Sequence, residues 1–168
     1  RKAMNIEGLG AESIKQFMDL GYIKSISDIY NLKTYEYELK HLPGFGDLSI
    51  NNLLSAIEKS KENSLEKLIF GLGILEVGEK TAKILANEFS NMDNLKNASL
   101  EELESINNIG PIMADAIYHY FQEKKNLELI EKLKSYSVNM VNKNIVHLDN
   151  TSYFANKTIV LTGTLTMM

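Results

Sequence analysis

A glycine recurs along this chain in a fixed apolar frame, and no other feature restricts the fold as much. The glycines are Gly10, Gly46, Gly78 and Gly110, spaced 36, 32 and 32 residues apart. Four residues before them stand Ile6, Leu42, Ile74 and Ile106. One residue before stand Leu9, Phe45, Val77 and Ile109. Four residues after come Ile14, Ile50, Ala82 and Ala114, and seven after come Phe17, Leu53, Leu85 and Ile117. All sixteen positions are apolar in a chain that is 44% hydrophobic, so composition does not account for the agreement. The later two positions share one face of a helix that begins just past each glycine. The earlier two anchor a tight loop ahead of it.

The residue two before each turn glycine is Gly8, Gly44, Glu76 or Asn108. Glycine permits positive φ there and leaves backbone N–H groups uncovered. Asn108 tolerates the same conformation, whereas Glu76 does not favour it. The third hairpin is therefore expected to be the least regular. Pro111 suits the first position of a helix. Helices are also expected ahead of the later hairpins: "TYEYELKH" before the second, the stripe Leu65, Leu68, Ile69 and Leu72 before the third, and "SLEELES" before the fourth. The last opens with Ser99 and Glu102 at capping-box spacing.

"SDIYNLKTYEYELKHLPGFG" and "NMDNLKNASLEELESINNIG" match in length, pattern and ending. The chain is thus expected to be all-α, with four hairpins in two pseudo-symmetric pairs, residues 1–70 and 71–141. Residues 126–136 read as an amphipathic helix with Leu127, Ile130 and Leu133 inward. The polar run that follows reads as a short extended piece and then a linker over 142–155. The β-branched run 158–162 reads as a strand opening a second, unfinished domain over 156–168. The opening "RKAMNIEGLG" lacks an initiator Met, which sets the expectation of a fragment.

A glycine hairpin feeding a helix leaves unpaired N–H groups at the positive end of the helix dipole. That is an anion site, and a nucleic-acid phosphate fits it without any base being read. One such hairpin serves equally well as a compact turn. Four in register favour nucleic-acid binding over an interaction module of similar helical build. The candidate contacts are Gly8, Leu9, Gly10 and Ser13; Gly44, Phe45, Gly46 and Ser49; Val77, Gly78, Lys80, Thr81 and Lys83; and Asn108, Ile109 and Gly110. Lys80, Thr81 and Lys83 lie in the first turns after Gly78, and Ser13 and Ser49 match Thr81. The fourth repeat places Ile112 and Met113 there instead, so its hairpin is either a backbone-only contact or a packing element. The net charge of −4 is no bar to such contacts, since backbone amides make them. It does imply weak binding, because few counterions are released. A valine in place of Gly46 is expected to block a phosphate, and to resist positive φ if the turn uses it there.

Nothing in the residues points to catalysis. There is no phosphate-loop motif, no defensible Ser/His/Asp arrangement and no paired carboxylates beyond ordinary helix surface. Glu101, Glu102 and Glu104 read as a solvated face. "GLGILEVG" lacks the preceding strand and the spacing of a dinucleotide fingerprint. The chain has no cysteine, and His41, His119 and His147 lack metal-ligand spacing. No apolar run reaches membrane-span length.

"AMNIEGLG", "EKLIFGLGILEVGEKTAKILA" and "INNIGPIMADAI", in that order, resemble segments of bacterial NAD-dependent DNA ligases. "NKTIVLTGTL" is similar to the first strand and phosphate-pocket turn of their BRCT domain. The resemblance covers essentially the whole chain. It implies four tandem helix-hairpin-helix motifs that lie along the minor groove of nicked double-stranded DNA, in a cytoplasmic, nucleoid-associated monomer that serves replication and repair. It also implies that the longer enzyme uses NAD, magnesium and zinc, with no cofactor or metal site in this fragment and no chemistry carried by it alone. A repair nuclease or branch-migration protein with tandem hairpins, and a helical adaptor, are the alternatives.

Overall fold

A computed structural model describes residues 3–144. Among them are nine α-helices and one stretch of 3₁₀ turns. In chain order they are α1 (Ala11–Asp19), the 3₁₀ stretch (Ile26–Tyr35), α2 (Glu36–Lys40), α3 (Asp47–Ser60), α4 (Leu65–Gly71), α5 (Glu79–Phe89), α6 (Met92–Lys96), α7 (Leu100–Ser105), α8 (Pro111–Gln122) and α9 (Lys124–Ser135). The described chain is therefore mostly helical, and it contains no strand beyond a single bridge between Asn91 and Val141. The expected strand at 158–162 and the rest of 156–168 lie outside the described residues.

The apolar frame builds the core. The position seven past each turn glycine is fully buried in all four helices, as Phe17, Leu53, Leu85 and Ile117. The position four past is buried as Ile50, Ala82 and Ala114, and half-buried as Ile14. Burying a side chain of Leu or Phe size contributes about 1.5–3 kcal/mol. Four helices sharing one register thus commit most of their stability to one face.

The first two hairpins pack reciprocally. Gly8 in the first turn sits over Leu53 of α3, where an added Cβ would lie 3.6 Å from the leucine Cβ. Phe45 in the second turn stacks on Phe17 of α1 with ring centroids 5.2 Å apart. In the second half α4 packs on α5, α5 on α6, and α7 on α8, which meets α9. The expected division after residue 70 falls inside α4. The two matched segments also differ. "NMDNLKNASLEELES" folds as α6, a break and α7, whereas its counterpart winds through the 3₁₀ stretch directly into α2.

After α9 the chain straps the ends of α3 and α5 to the starts of α4 and α6. The Asn139 N–H donates to the Lys61 carbonyl (2.8 Å), the Leu65 N–H to Val141 (3.2 Å), the Met92 N–H to Met140 (2.9 Å) and the Asn142 N–H to Ser90 (2.8 Å). The expected extended piece is this strap. Residue 142, the expected start of the linker, is buried. The Asn142 side chain donates to the Ala86 carbonyl and the Asn87 amide oxygen, both at 3.0 Å, and accepts from Ser64 Oγ at 3.2 Å. Lys143 and Asn144 are also bonded to Ser64. A buried amide is held wherever its polar atoms find partners, and here those partners lie 55 to 78 residues back along the chain, beyond the reach of a local reading. The remaining linker residues, 145–155, lie outside the described residues.

Candidate nucleic-acid interface

The same hydrogen bond closes each of the four turns. The N–H groups of Leu9, Phe45, Val77 and Ile109 donate to the carbonyls of Ile6, Leu42, Ile74 and Ile106 at 3.3, 3.0, 3.0 and 3.1 Å. The third turn residue is Gly8, Gly44, Glu76 or Asn108, with φ of 83°, 84°, 65° and 69°. A left-handed third residue is the mark of a type II turn. The third turn is thus as regular as the others, contrary to the expectation from Glu76. Ile74 and Val77 are buried on either side of it, and their burial holds Glu76 in a conformation that costs a non-glycine residue about 1–2 kcal/mol.

The turn glycine follows directly and is extended. Its φ is −89° at Gly10, −165° at Gly46, −86° at Gly78 and −82° at Gly110. Its carbonyl accepts the first helical bond, from Ile14, Ile50, Ala82 or Ala114, at 2.9 to 3.0 Å. Gly46 therefore does not use positive φ. The left-handed position is Gly44, because the turn ends before the helix cap begins.

None of these four glycines is required by the fold. Each has negative φ, and a Cβ built on any of them meets nothing within 4 Å. Glycine is also a weaker helix cap than Ser, Asn or Asp. Two of the short connecting helices, α6 and α7, are closed by polar caps, whereas α2 and α4 have no side-chain cap. Asn91 Oδ1 accepts from the Asn94 N–H at 2.8 Å, Ser99 Oγ accepts from the Glu102 N–H at 3.1 Å, and Glu102 Oε2 accepts from the Ser99 N–H at 2.8 Å. The hairpin helices α1, α5 and α8 have no side-chain cap. Their first-turn amides lack intrahelical partners, Pro111 of α8 having no N–H, and the glycine ahead of each has open space at its Cβ position.

The expected contact residues divide into three groups. Leu9 and Phe45 are half-buried, and Val77 and Ile109 are buried, so the side chains of these four anchor the turns. Ser49 is engaged within its own hairpin: its Oγ accepts from the Gly46 N–H (3.0 Å) and donates to the Gly46 carbonyl (3.1 Å). Ser13 and Thr81 are half-buried at the equivalent place. Lys80 and Lys83 are exposed and have no ion-pair partner among the described residues. Gly8 and Ser49 line one groove of about 760 Å³ beside α3, with Lys59 on its wall, so the first and second hairpins share an edge.

Charge is uneven among the helix ends. Glu12, Asp47 and Glu79 sit in the first turns of α1, α3 and α5, where a carboxylate competes with any incoming anion. Glu79 lies 3.7 Å from Lys67, which offsets it in part. The first turn of α8 holds no acid. Met113 there packs against the core, while Ile112 is exposed. The fourth hairpin therefore has the least repulsive end of the four. Sequence reading missed Leu48, the exposed residue at the matching place in α3. Its signal was its position off the buried face. Among the described residues no group of three or more His, Asp or Glu side chains converges as a metal site, and no helix is long and apolar enough to cross a membrane.

The helix-hairpin-helix motif family matches residues 67–130, which contain the third and fourth turns. The DNA ligase of Bacillus cytotoxicus is 50% identical over 171 aligned positions, covering 100% of this chain and 25% of the relative. The DNA ligases of Bacillus mycoides and Bacillus thuringiensis are each 49% identical with the same coverage. From end to end, the chain is similar to DNA ligase. It spans about a quarter of the length of these curated relatives.

Proposed function

We propose that the chain is the duplex-DNA-binding module of an NAD-dependent DNA ligase that seals nicks. In this reading the four turns are four helix-hairpin-helix motifs in two pseudo-symmetric pairs, lying along the minor groove. The observation that carries it is the set of four turn glycines that neither φ nor Cβ packing requires, three of them ahead of helices with no side-chain cap. A Cβ-free surface over free N–H groups lets a phosphate oxygen approach the backbone. The similarity of the whole of this chain to DNA ligases supports DNA as what such a surface would meet.

Contacts of this type read no sequence. Lys80 and Lys83 reinforce the third hairpin, and the acid-free end of α8 favours the fourth. NAD, magnesium and zinc belong, in this reading, to other segments of the longer enzyme. The matching test is a salt titration of affinity for nicked and intact duplexes of two unrelated sequences. Binding that weakens with salt and is equal for the two sequences is expected. No binding at low salt, or a strong sequence preference, refutes the reading.

A further inference from the structure

The hairpins also display large apolar side chains. Leu48 is 76% exposed, Leu75 74% and Ile112 79%. Leu48 and Ile112 hold the same register position, two residues past Gly46 and Gly110, in the first turns of α3 and α8. The fold does not call for an apolar residue there, since Glu12 and Lys80 fill the same place in α1 and α5. Leu75 is the second residue of the third β-turn, where the other turns carry Glu7, Pro43 and Asn107.

A single exposed leucine needs no explanation. Recurrence at matched places in two repeats, each time beside a turn glycine and free amides, does. A partner that offers only charge would be better met by lysine at these positions. A partner that offers only hydrocarbon would have no use for open N–H groups. A nucleic-acid backbone offers both within a few ångströms, as phosphates alternating with the C–H faces of deoxyribose. The charge balance points the same way. With a net charge of −4, and with Asp47 next to Leu48, the chain releases few counterions on binding. Apolar contact adds affinity that salt does not screen.

We propose that Leu48, Leu75 and Ile112 pack against deoxyribose faces of duplex DNA, so that the module grips the backbone partly by salt-independent apolar contact. This rests on the DNA-binding reading above. The test compares the wild-type chain, the double variant Leu48→Ser/Ile112→Ser, the single variant Leu75→Ser, and Lys80→Ala as the ionic control. Affinity for a nicked duplex is measured across a salt series, and thermal melting checks folding. All three apolar side chains are largely in solvent, so the melting temperature should stay put.

The double variant should bind about tenfold more weakly at every salt concentration, the scale expected for losing part of the burial of two such side chains. Leu75→Ser should show a smaller loss of the same kind. The slope of log affinity against log salt should be unchanged in both and shallower only in Lys80→Ala. Unchanged affinity in a folded double variant overturns this inference, and the DNA-binding reading survives if Gly46→Val still weakens binding. Such a result would assign the apolar residues to a protein contact. A loss that appears only as a changed salt slope also overturns it. A wild-type chain that binds no duplex at any salt overturns both.

Discussion

Two glycines of one hairpin, Gly44 and Gly46, separate the job of making the turn from the job of meeting a ligand. Neither would clash if given a Cβ, since nothing lies within 4 Å of either ideal position. They differ in backbone: Gly44 has φ of +84°, and Gly46 has φ of −165°. In Gly44→Val the new side chain must enter the left-handed region, which costs roughly 1–2 kcal/mol. In Gly46→Val it sits on extended backbone that valine adopts readily. That variant gives up the cap preference of glycine, roughly 0.5–1 kcal/mol, and regains about 0.4–1 kcal/mol through a less flexible unfolded chain. The two terms nearly cancel. For a domain of this size, Gly44→Val should lower the melting temperature by roughly 2–8 °C and Gly46→Val by less than about 2 °C. Binding should rank in the opposite order. The isopropyl group introduced by Gly46→Val occupies the open space over the first amides of α3, and losing one charge-assisted contact there costs at least about 1.5 kcal/mol, or tenfold in affinity. Calorimetric melts and fluorescence anisotropy with a nicked duplex measure both quantities on the same samples. If Gly46→Val melts with the wild type and also binds as tightly, the space over Gly46 is not a phosphate site.

Relief of the strain at Glu76 should make Glu76→Gly more stable by about 0.5–1 kcal/mol, after the entropy of the added glycine is subtracted; a lower melting temperature would show that the left-handed turn is not strained. Asn142→Ala removes the buried side-chain bonds to the Ala86 carbonyl, which keeps only the Ser90 N–H, and to Asn87 and Ser64, and should cost about 1–3 kcal/mol in a denaturant titration; a neutral result would mean that water replaces the amide. Asp28 is held below the usual carboxylate range although burial opposes it, because its Oδ2 accepts from the N–H groups of Lys24 and Ser25 at 2.9 and 2.8 Å. A depressed folded pKa stabilises above the unfolded value, near 3.9, and that contribution disappears as pH falls through the folded value. Wild type should therefore exceed Asp28→Asn by about 1 kcal/mol at neutral pH, the scale of a helix cap, and the two should converge in acid; a gap that persists below about pH 2 would refute this.

The helix starts were legible because their causes are local. An apolar residue four before a glycine, another one before it, and a face at four and seven after it specify a turn and the helix leaving it. The structure begins α1, α3, α5 and α8 one residue past Gly10, Gly46, Gly78 and Gly110. The box of Ser99 and Glu102 was equally readable, since both of its hydrogen bonds span three residues. Asn142 was not readable. Nothing near it in the chain distinguishes an asparagine that ends a domain from one that opens a linker, and its partners Ser64 and Ala86 lie far back along the chain. Glu76 misled for a related reason. Its local preference is against positive φ, but the burial of Ile74 and Val77 outweighs that preference.

The sequence alone therefore determined where the helices begin, which face of each turns inward and where free amides stand, because these follow from residue order over a single turn of chain. Only the tertiary structure decided what lies above those amides. Whether a glycine is needed by φ, by a neighbour or by neither depends on atoms brought from elsewhere: Leu53 lies beneath Gly8, and nothing stands near Gly10, Gly46, Gly78 or Gly110. Exposure is likewise a property of the packed molecule, and packing alone left Leu48, Leu75 and Ile112 in solvent beside the sites they are proposed to serve.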